Sequence, residues 1–522
     1  MRETGRIPSL GLMLVAGAAM LCWSAADVAA QSYRPGFSTS VGPRISGPSI
    51  GAIGPRGPNF NTGPTRTPDW GKGTTKPKHP ETGGRRPPRR PGGPAIVVIP
   101  PGGFGPPPID LPPGAPPPGA RGPSGASGPL RAVTGVPPAG ERRYVPDEVI
   151  IEVAGSPPQQ AADALARRFR LARIESLNLP ATDTTIFRWR IPDRRSVPAV
   201  IRQLEADRFI RAAQPNYLYT LSQAQTASAP PDAPLGDPAQ YALGKLRLAQ
   251  AHGIAQGERV LVAVIDSGVD AGHPELAGVV ADTFDTLDPK EPPHAHGTAI
   301  AGTIAAHSRL RGVAPAARLL TVRAFGESKG GAEGTTFNIL KGVDWALGKG
   351  ARVINMSFAG PADPALSRAL ATARGKGAIL IAAAGNAGPK SPPLYPAADP
   401  NVIAVTATDA QDNLFPASNR GAHVEIAAPG VDILVPSTGG SYQVSSGTSL
   451  AAAHVSGVAA LLVERRHDLT GDQVRRILAQ SAKDLGPKGK DMYFGAGLAD
   501  AFQALMAPEI AGTPHNTSAS AR

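Results

Sequence analysis

At 522 residues the chain exceeds what one hydrophobic core supports, which predicts two or three folded units plus connecting sequence. Its net charge of +12 is concentrated in one place: residues 31–143 hold 15 Lys/Arg against 4 Asp/Glu, while residues 144–522 balance to +1, so nothing here argues for a nucleic-acid-binding fold. The single cysteine, Cys22, lies inside an N-terminal apolar segment, so the mature chain is expected to have neither disulfides nor thiol chemistry.

Arg2 and Arg6 precede an apolar run from Leu10 to Trp23, followed by the small residues Val28-Ala29-Ala30. That is the plan of an export signal over residues 1–30, cut after Ala30 or, as second choice, after Ala26. The run is too short for a membrane span, so a soluble product is expected, secreted, periplasmic or at the cell surface. Residues 31–143 are dense in Pro and Gly, with runs such as Arg85-Arg86-Pro87-Pro88-Arg89-Arg90, and predict a disordered, partly polyproline II spacer. Its arginines suit a linker kept soluble by charge; a tether to an anionic cell surface is the alternative.

Order is expected from Tyr144. Val149–Val153 reads as a strand, Ala162, Leu165, Ala166 and Phe169 share one helix face, and Ala172–Leu177 reads as a further strand. Thr185, Phe187, Trp189 and Ile191 alternate as a strand, Val197, Val200, Ile201 and Leu204 stripe a second helix, and Phe209–Tyr219 returns as strand. The order β-α-β-β-α-β over 144–221 predicts a small ferredoxin-like α+β domain without a cluster of catalytic residue types. Residues 222–236 are Ala/Pro-rich and polar, the composition of an exposed, cleavable linker.

From 237 to 506 continuous apolar runs (Val260–Ile265, Leu319–Val322, Val353–Met356, Ile379–Ala383, Val402–Val405) alternate with helical segments near Thr298–Ala306, Thr335–Leu347, Pro364–Arg374 and Thr448–Glu464. Runs without alternation mark strands buried on both faces, hence a mostly parallel, doubly wound α/β sheet. Residues 507–522 read as a frayed, disordered tail.

Four segments of this unit carry chemically capable residues at strand ends or helix starts. Asp266 ends the first apolar run in V-A-V-I-D-S-G-V-D, and His296 stands in H-A-H-G-T-A-I-A-G-T. Asn386 lies between Gly385 and Gly388 in A-A-G-N-A-G-P, and Ser449 opens a helix in S-S-G-T-S-L-A-A-A-H-V-S-G. Each alone fits a common structural role: turn cap, loop histidine, turn asparagine, helix N-cap. Together, in the order Asp, His, Asn, Ser, these motifs resemble those of the subtilisin-like serine peptidases, the subtilases, over roughly Asp237 to Met506.

The resemblance implies that Ser449 is the nucleophile, His296 the general base and Asp266 the group orienting the imidazole. It further implies an oxyanion hole formed by Asn386 and the backbone N–H of Ser449, and substrate contacts at Ser357, Phe358, Ala359, Gly360, Ala383, Ala384 and Gly385. Residues 144–221 resemble the family's inhibitor-type propeptide, with self-cleavage expected between Tyr219 and Asp237. The partners implied are protein or peptide substrates and the chain's own propeptide, acting on a monomer that needs no organic cofactor.

Departures from the family pattern are Ala299, where many relatives carry a second histidine, and S-F-A-G at Ser357–Gly360, where Phe358 and Ala359 are expected to alter the S2 and S1 walls. Apolar surroundings there suggest an uncharged P1 side chain. The loop after the histidine helix lacks the insertion that carries the family's strong calcium site. Asp282, Asp285, Asp288 and Glu291 read as a solvated acidic loop, with a cation among them as the alternative, and Tyr395-Pro396 is a candidate cis peptide. A second functional reading stays open: a surface-associated protein that binds peptides on this scaffold without turning them over.

Overall fold

The computed structural model describes residues 134–180, 182–222, 226–228, 239–287, 291–328 and 331–511. The expected export signal and nearly all of the expected spacer lie outside these residues, as does the chain beyond residue 511.

The first domain runs β1 (Tyr144–Ala154), α1 (Gln159–Phe169), β2 (Ala172–Leu179), β3 (Thr184–Arg190), α2 (Val197–Leu204) and β4 (Ala212–Leu221), the expected β-α-β-β-α-β order. Its antiparallel strands are arranged β2-β3-β1-β4. The apolar residues of β1 do not alternate with polar ones because both faces of the sheet are covered. Val149, Ile151 and Val153 pack with α1 and α2, whereas Ile150 joins a core shared with the larger domain. The domain begins earlier than expected: Thr134 Oγ and the Gly135 N–H both donate to Glu205, and Val136 packs on the small core. Its last strand begins later, at Ala212, leaving Phe209 65% exposed.

After β5 (Thr226–Ser228) the larger domain continues with α3 (Tyr241–Lys245), α4 (Leu248–Ala251), β6 (Leu261–Asp266), β7 (Val280–Asp285), α5 (Ala295–Ala305), β8 (Arg318–Arg323), β9 (Gly326–Ser328) and β10 (Gly331–Thr335). There follow α6 (Thr336–Gly348), β11 (Val353–Met356), β12 (Phe358–Ala359), α7 (Pro364–Gly375), β13 (Ile379–Ala383), β14 (Ile403–Thr408), β15 (Val424–Pro429), β16 (Ile433–Pro436) and β17 (Tyr442–Ser445). The described residues close with α8 (Thr448–Arg465), α9 (Gly471–Ser481), α10 (Ala501–Leu505) and α11 (Pro508–Ala511). The central sheet has seven strands in the order β15-β14-β13-β11-β6-β8-β7, all paired in parallel. The five apolar runs supply its interior. Edge strands β7 and β15 escape that criterion because Asp282 and Glu425 interrupt them.

Two expected unstructured stretches contain structure. Part of the linker forms β5, which pairs with β17. The expected tail holds α11, whose Ile510 is buried in the main core and so ties the chain down to that point.

α8 is buried on every side from Thr448 to Val463, which its many alanines permit. Packing is tight enough that a Cβ on Gly457 would lie 2.4 Å from Val313 Cβ. Within this helix His454 is fully buried, its Nδ1 bonded to the Pro429 carbonyl at 2.9 Å. Burial is the main influence on the imidazole and lowers its pKa to about 4. The unfolded chain binds a proton near pH 6.5 that the fold refuses until about pH 4, so this residue's contribution is intact above pH 6.5 and is lost as pH falls toward 4. The loss amounts to about 3 kcal/mol at 1.4 kcal/mol per pH unit. Thermal unfolding of wild type and His454→Gln at pH 7 and pH 4.5 is expected to show a smaller acid-induced drop in Tm for the variant.

Candidate active site

The site is assembled where β6, β13, α5 and α8 end or begin, at the carboxyl edge of the parallel sheet. Asp266 closes β6 and is completely buried. Its Oδ1 accepts from the Ser267 backbone N–H (2.8 Å), the Ser267 hydroxyl (3.0 Å) and His296 Nδ1 (2.8 Å). The His296 ring is thereby fixed with a proton on Nδ1, leaving Nε2 as the basic nitrogen. Close approach of α5 to the turn after β6 depends on Gly297, since a Cβ there would stand 2.1 Å from the Gly268 carbonyl oxygen.

His294 caps α5. Its Nδ1 accepts from the His296 N–H at 3.2 Å and lies 3.1 Å from the Ser267 hydroxyl, so its place is behind the Asp–His pair. Burial, and then the nearby His296, push the His294 imidazole below the ordinary histidine value, which keeps it neutral and able to accept.

Ser449 sits in the first turn of α8, where backbone N–H groups lack intrahelical partners. Asn386 follows the end of β13. Its Oδ1 accepts from the Thr448 N–H (3.1 Å) and the Thr448 hydroxyl (2.8 Å), so the amide oxygen serves as the helix cap that Gly447 cannot supply. That leaves the amide Nδ2 facing the cleft. The turn carrying Asn386 is itself pinned by buried Asn419, which accepts from the Ala387 N–H (2.9 Å) and donates to the Ala384 carbonyl (3.0 Å). The sequence alone does not signal these positioning contacts of Thr448 and Asn419. The S-G-T-S motif contains the first; the second lies in a segment that reads as an ordinary turn.

The site is filled by the chain's own strand. The Ser222 carbonyl oxygen accepts from Asn386 Nδ2 at 3.0 Å and from the Ser449 hydroxyl at 2.7 Å. Among the described residues the Ser449 backbone N–H makes no bond to that oxygen, and His296 Nε2 has no hydrogen-bond partner. The Ser–His link implied by the resemblance is therefore open here, because the serine proton is directed at the bound carbonyl. Upstream, the Ser222 N–H donates to the Ser357 carbonyl (3.1 Å), and β4 pairs antiparallel with β10 and β12 on its two sides. Ser222, expected in an exposed linker, is thus held in the cleft, because the strand that precedes it is paired.

The expected substrate residues divide into two groups. Ser357, Phe358 and Ala359 meet the bound strand directly, and Gly360 is packed under the Tyr219 ring. Ala359 lines a pocket with Ser222, Ala332, Ala387 and Leu394, but the Phe358 ring stands against Tyr219, with ring centroids 5.6 Å apart. Of the bound strand it is thus Tyr219, three residues before Ser222, that the Phe358 ring meets. Ala383, Ala384 and Gly385 are buried behind the cleft, where the Ala384 and Gly385 carbonyls are taken by Asn419.

Of the expected acidic loop, Asp282 and Asp285 belong to β7 instead, because that segment pairs with β8, and three of the carboxylates have cationic partners on the chain: Asp282 with Lys349, and Asp285 and Glu291 with Arg323. Asp288 lies outside the described residues. Among the described residues no group of three His, Cys, Asp or Glu side chains is placed to hold a metal. The Tyr395-Pro396 bond is cis, and Tyr395 exchanges backbone hydrogen bonds with Gly360.

The family model of the subtilases matches residues 257–497, and that of the fervidolysin N-terminal prodomain matches residues 131–216. A thermophilic serine proteinase of Bacillus sp. (strain AK1) is 32% identical over 372 residues, which cover 69% of this chain and 88% of that protein. Thermitase of Thermoactinomyces vulgaris is 35% identical over 53% of this chain and 99% of its own length. The crystal structure of fervidolysin from Fervidobacterium pennivorans, a keratinolytic enzyme related to subtilisin, superposes with a TM-score of 0.60 at 26% identity, covering 70% of this chain and 61% of that one. With the family's fold and prodomain both present on one polypeptide, the chain belongs to the subtilase family of serine endopeptidases.

Proposed function

We propose that this subtilase is exported as a precursor and cuts itself after Ser222, using Asp266, His296 and Ser449 as a triad and Asn386 as oxyanion donor. The observation that carries this reading is the Ser222 carbonyl oxygen held jointly by the Asn386 amide and the Ser449 hydroxyl. Ser449 Oγ attacks the Ser222 carbonyl carbon while its proton passes to His296 Nε2, and the buried Asp266 carboxylate stabilises the resulting imidazolium. Negative charge then develops on the oxygen already facing Asn386 Nδ2. As the tetrahedral species collapses, His296 returns the proton to the nitrogen of Gln223, and water hydrolyses the acyl-enzyme by the same route. Ser222 is uncharged, in keeping with an uncharged P1 preference.

The first domain is then both substrate and inhibitor. Asn216 Oδ1 accepts from the Phe337 N–H at the start of α6, and Gln214 Oε1 accepts from the Ala365 N–H at the start of α7, so the prodomain occupies two helix N-termini of the peptidase. Arg368–Glu152 and Lys341–Glu175 ion pairs flank them. Export rests on the Arg2/Leu10–Trp23/Ala30 pattern of the N-terminus; among the described residues no helix is long and apolar enough to cross a membrane.

Expressed in a protease-free background, wild type is expected to yield a product starting at Gln223, and Ser449→Ala to accumulate the uncut precursor. Equal processing of both, or a first cut elsewhere as read by N-terminal mass spectrometry, would overturn the self-cleavage. Stoichiometric fluorophosphonate labelling of Ser449 separates an activated nucleophile from a non-catalytic peptide-binding site. Asn386→Ala is expected to lower kcat about 100- to 1000-fold, the magnitude known for subtilisin's own oxyanion asparagine. Thr448→Val, which removes one of the two donors orienting Asn386, is expected to lower kcat about tenfold with little change in KM.

A further inference from the structure

Four residues of the bound strand precede the bond after Ser222: Tyr219, Thr220, Leu221 and Ser222, occupying positions P4 to P1 of a substrate. Tyr219 is completely buried, while the registers Gly334↔Tyr219 and Ala359↔Thr220 hold its backbone between two strands. Its ring meets Phe358 edge to face, and Phe358 is in turn packed on Phe325 with centroids 5.0 Å apart. The remaining wall is Gly360, where a Cβ would come within 2.4 Å of the ring. These contacts alone describe a slot for any large apolar side chain.

The floor of the slot is different. Asp363, buried at 4% exposure, extends Oδ2 to the Tyr219 hydroxyl (3.1 Å) and to the Thr336 hydroxyl (2.6 Å). Its Oδ1 is taken by the N–H groups of Ala365 and Leu366 at the start of α7 and by Gln214 of the prodomain. Burial, and then the charge of Asp363, hold the Tyr219 phenol well above its ordinary pKa, so it is a donor at any pH the fold tolerates. A buried carboxylate oxygen at the end of an aromatic slot is satisfied by a phenol and left short of a partner by a phenyl ring.

We infer that Asp363 makes the fourth subsite selective for a hydroxyl-bearing aromatic, so that this enzyme prefers peptides with tyrosine four residues before the cut. The inference rests on the reading that the bond after Ser222 is presented for cleavage. It assigns to Asp363 a recognition role in addition to capping α7, and it identifies the substrate class by a Tyr-x-x-Ser segment presented in extended form.

The test uses full-length enzyme after self-processing and quenched-fluorescent peptides of the form X-Thr-Leu-Ser-Gln-Ala, with X as Tyr, Phe, Leu, Ala or Arg. Wild type is expected to cleave the Tyr peptide with a kcat/KM about tenfold above the Phe peptide, the scale of one hydrogen bond to a buried charged group. Asp363→Ser keeps an N-cap oxygen but is too short to reach the phenol, and the Tyr/Phe ratio should fall to about one. Gly360→Ala should remove the advantage of both aromatics over Ala. A Phe peptide matching the Tyr peptide in wild type overturns the inference without any variant, as does a Tyr/Phe ratio that survives in Asp363→Ser. Preference for Arg would overturn it too, by showing that the carboxylate reads charge. If every peptide is cleaved at Ser-Gln without discrimination at X, only the fourth-subsite role fails; if none is cleaved and Ser449 does not label, the underlying peptidase reading fails as well.

Discussion

One side-chain amide couples the scaffold to the bound carbonyl. Asn386 gives its oxygen to the uncapped start of α8 and its nitrogen to the Ser222 carbonyl, so the direction of the donor is decided by the needs of the helix. An amide that simply lined the cleft would be free to rotate and present either end. Here reversing it would remove the acceptor from Thr448 and point an oxygen at another oxygen. The same arrangement makes Thr448 the residue that links the helix bearing Ser449 to the turn bearing Asn386. Asn419 completes the device from behind, by fixing the backbone of that turn.

The prodomain reaches this site through sheet formation. β4 is the edge strand of the small sheet and also the strand inserted between β10 and β12, so the hydrogen bonds that complete one domain continue into the other. Main-chain pairing of this kind gives affinity with little sequence demand, and the side chains that alternate along the strand supply selectivity. Tyr217, Tyr219 and Leu221 all point into the shared core, which explains why three large apolar side chains recur at every second position before Ser222.

What the sequence disclosed follows from how local the relevant physics is. The β-α-β-β-α-β order and five interior strands were readable because apolar periodicity is a property of short windows. Asp266, His296, Asn386 and Ser449 were recognisable because each lies in a contiguous motif. The pairing of Tyr219 with Asp363 spans 144 residues, and nothing local signals it. Ser222 reads as linker because the residues after it are rich in turn formers, while its position is set by the strand before it and by partners near residues 333 and 358. Ile510 likewise reads as part of a tail, since a single buried side chain in a short helix leaves no periodic signature.

The uninterrupted backbone between prodomain and cleft also determines how silence would end. While joined, the two parts face each other at an effective concentration set by the segment that follows Ser222, and no dilution separates them. If the proposed cut is made, the same contacts become an encounter between two molecules. Occupancy then depends on how many of them share the volume, and on how quickly a released prodomain, itself a folded peptide chain, is consumed by any copy already empty. A crowded population of cut molecules would remain mutually quiet, whereas a dispersed one would switch on with a lag that shortens as the first free enzymes accumulate.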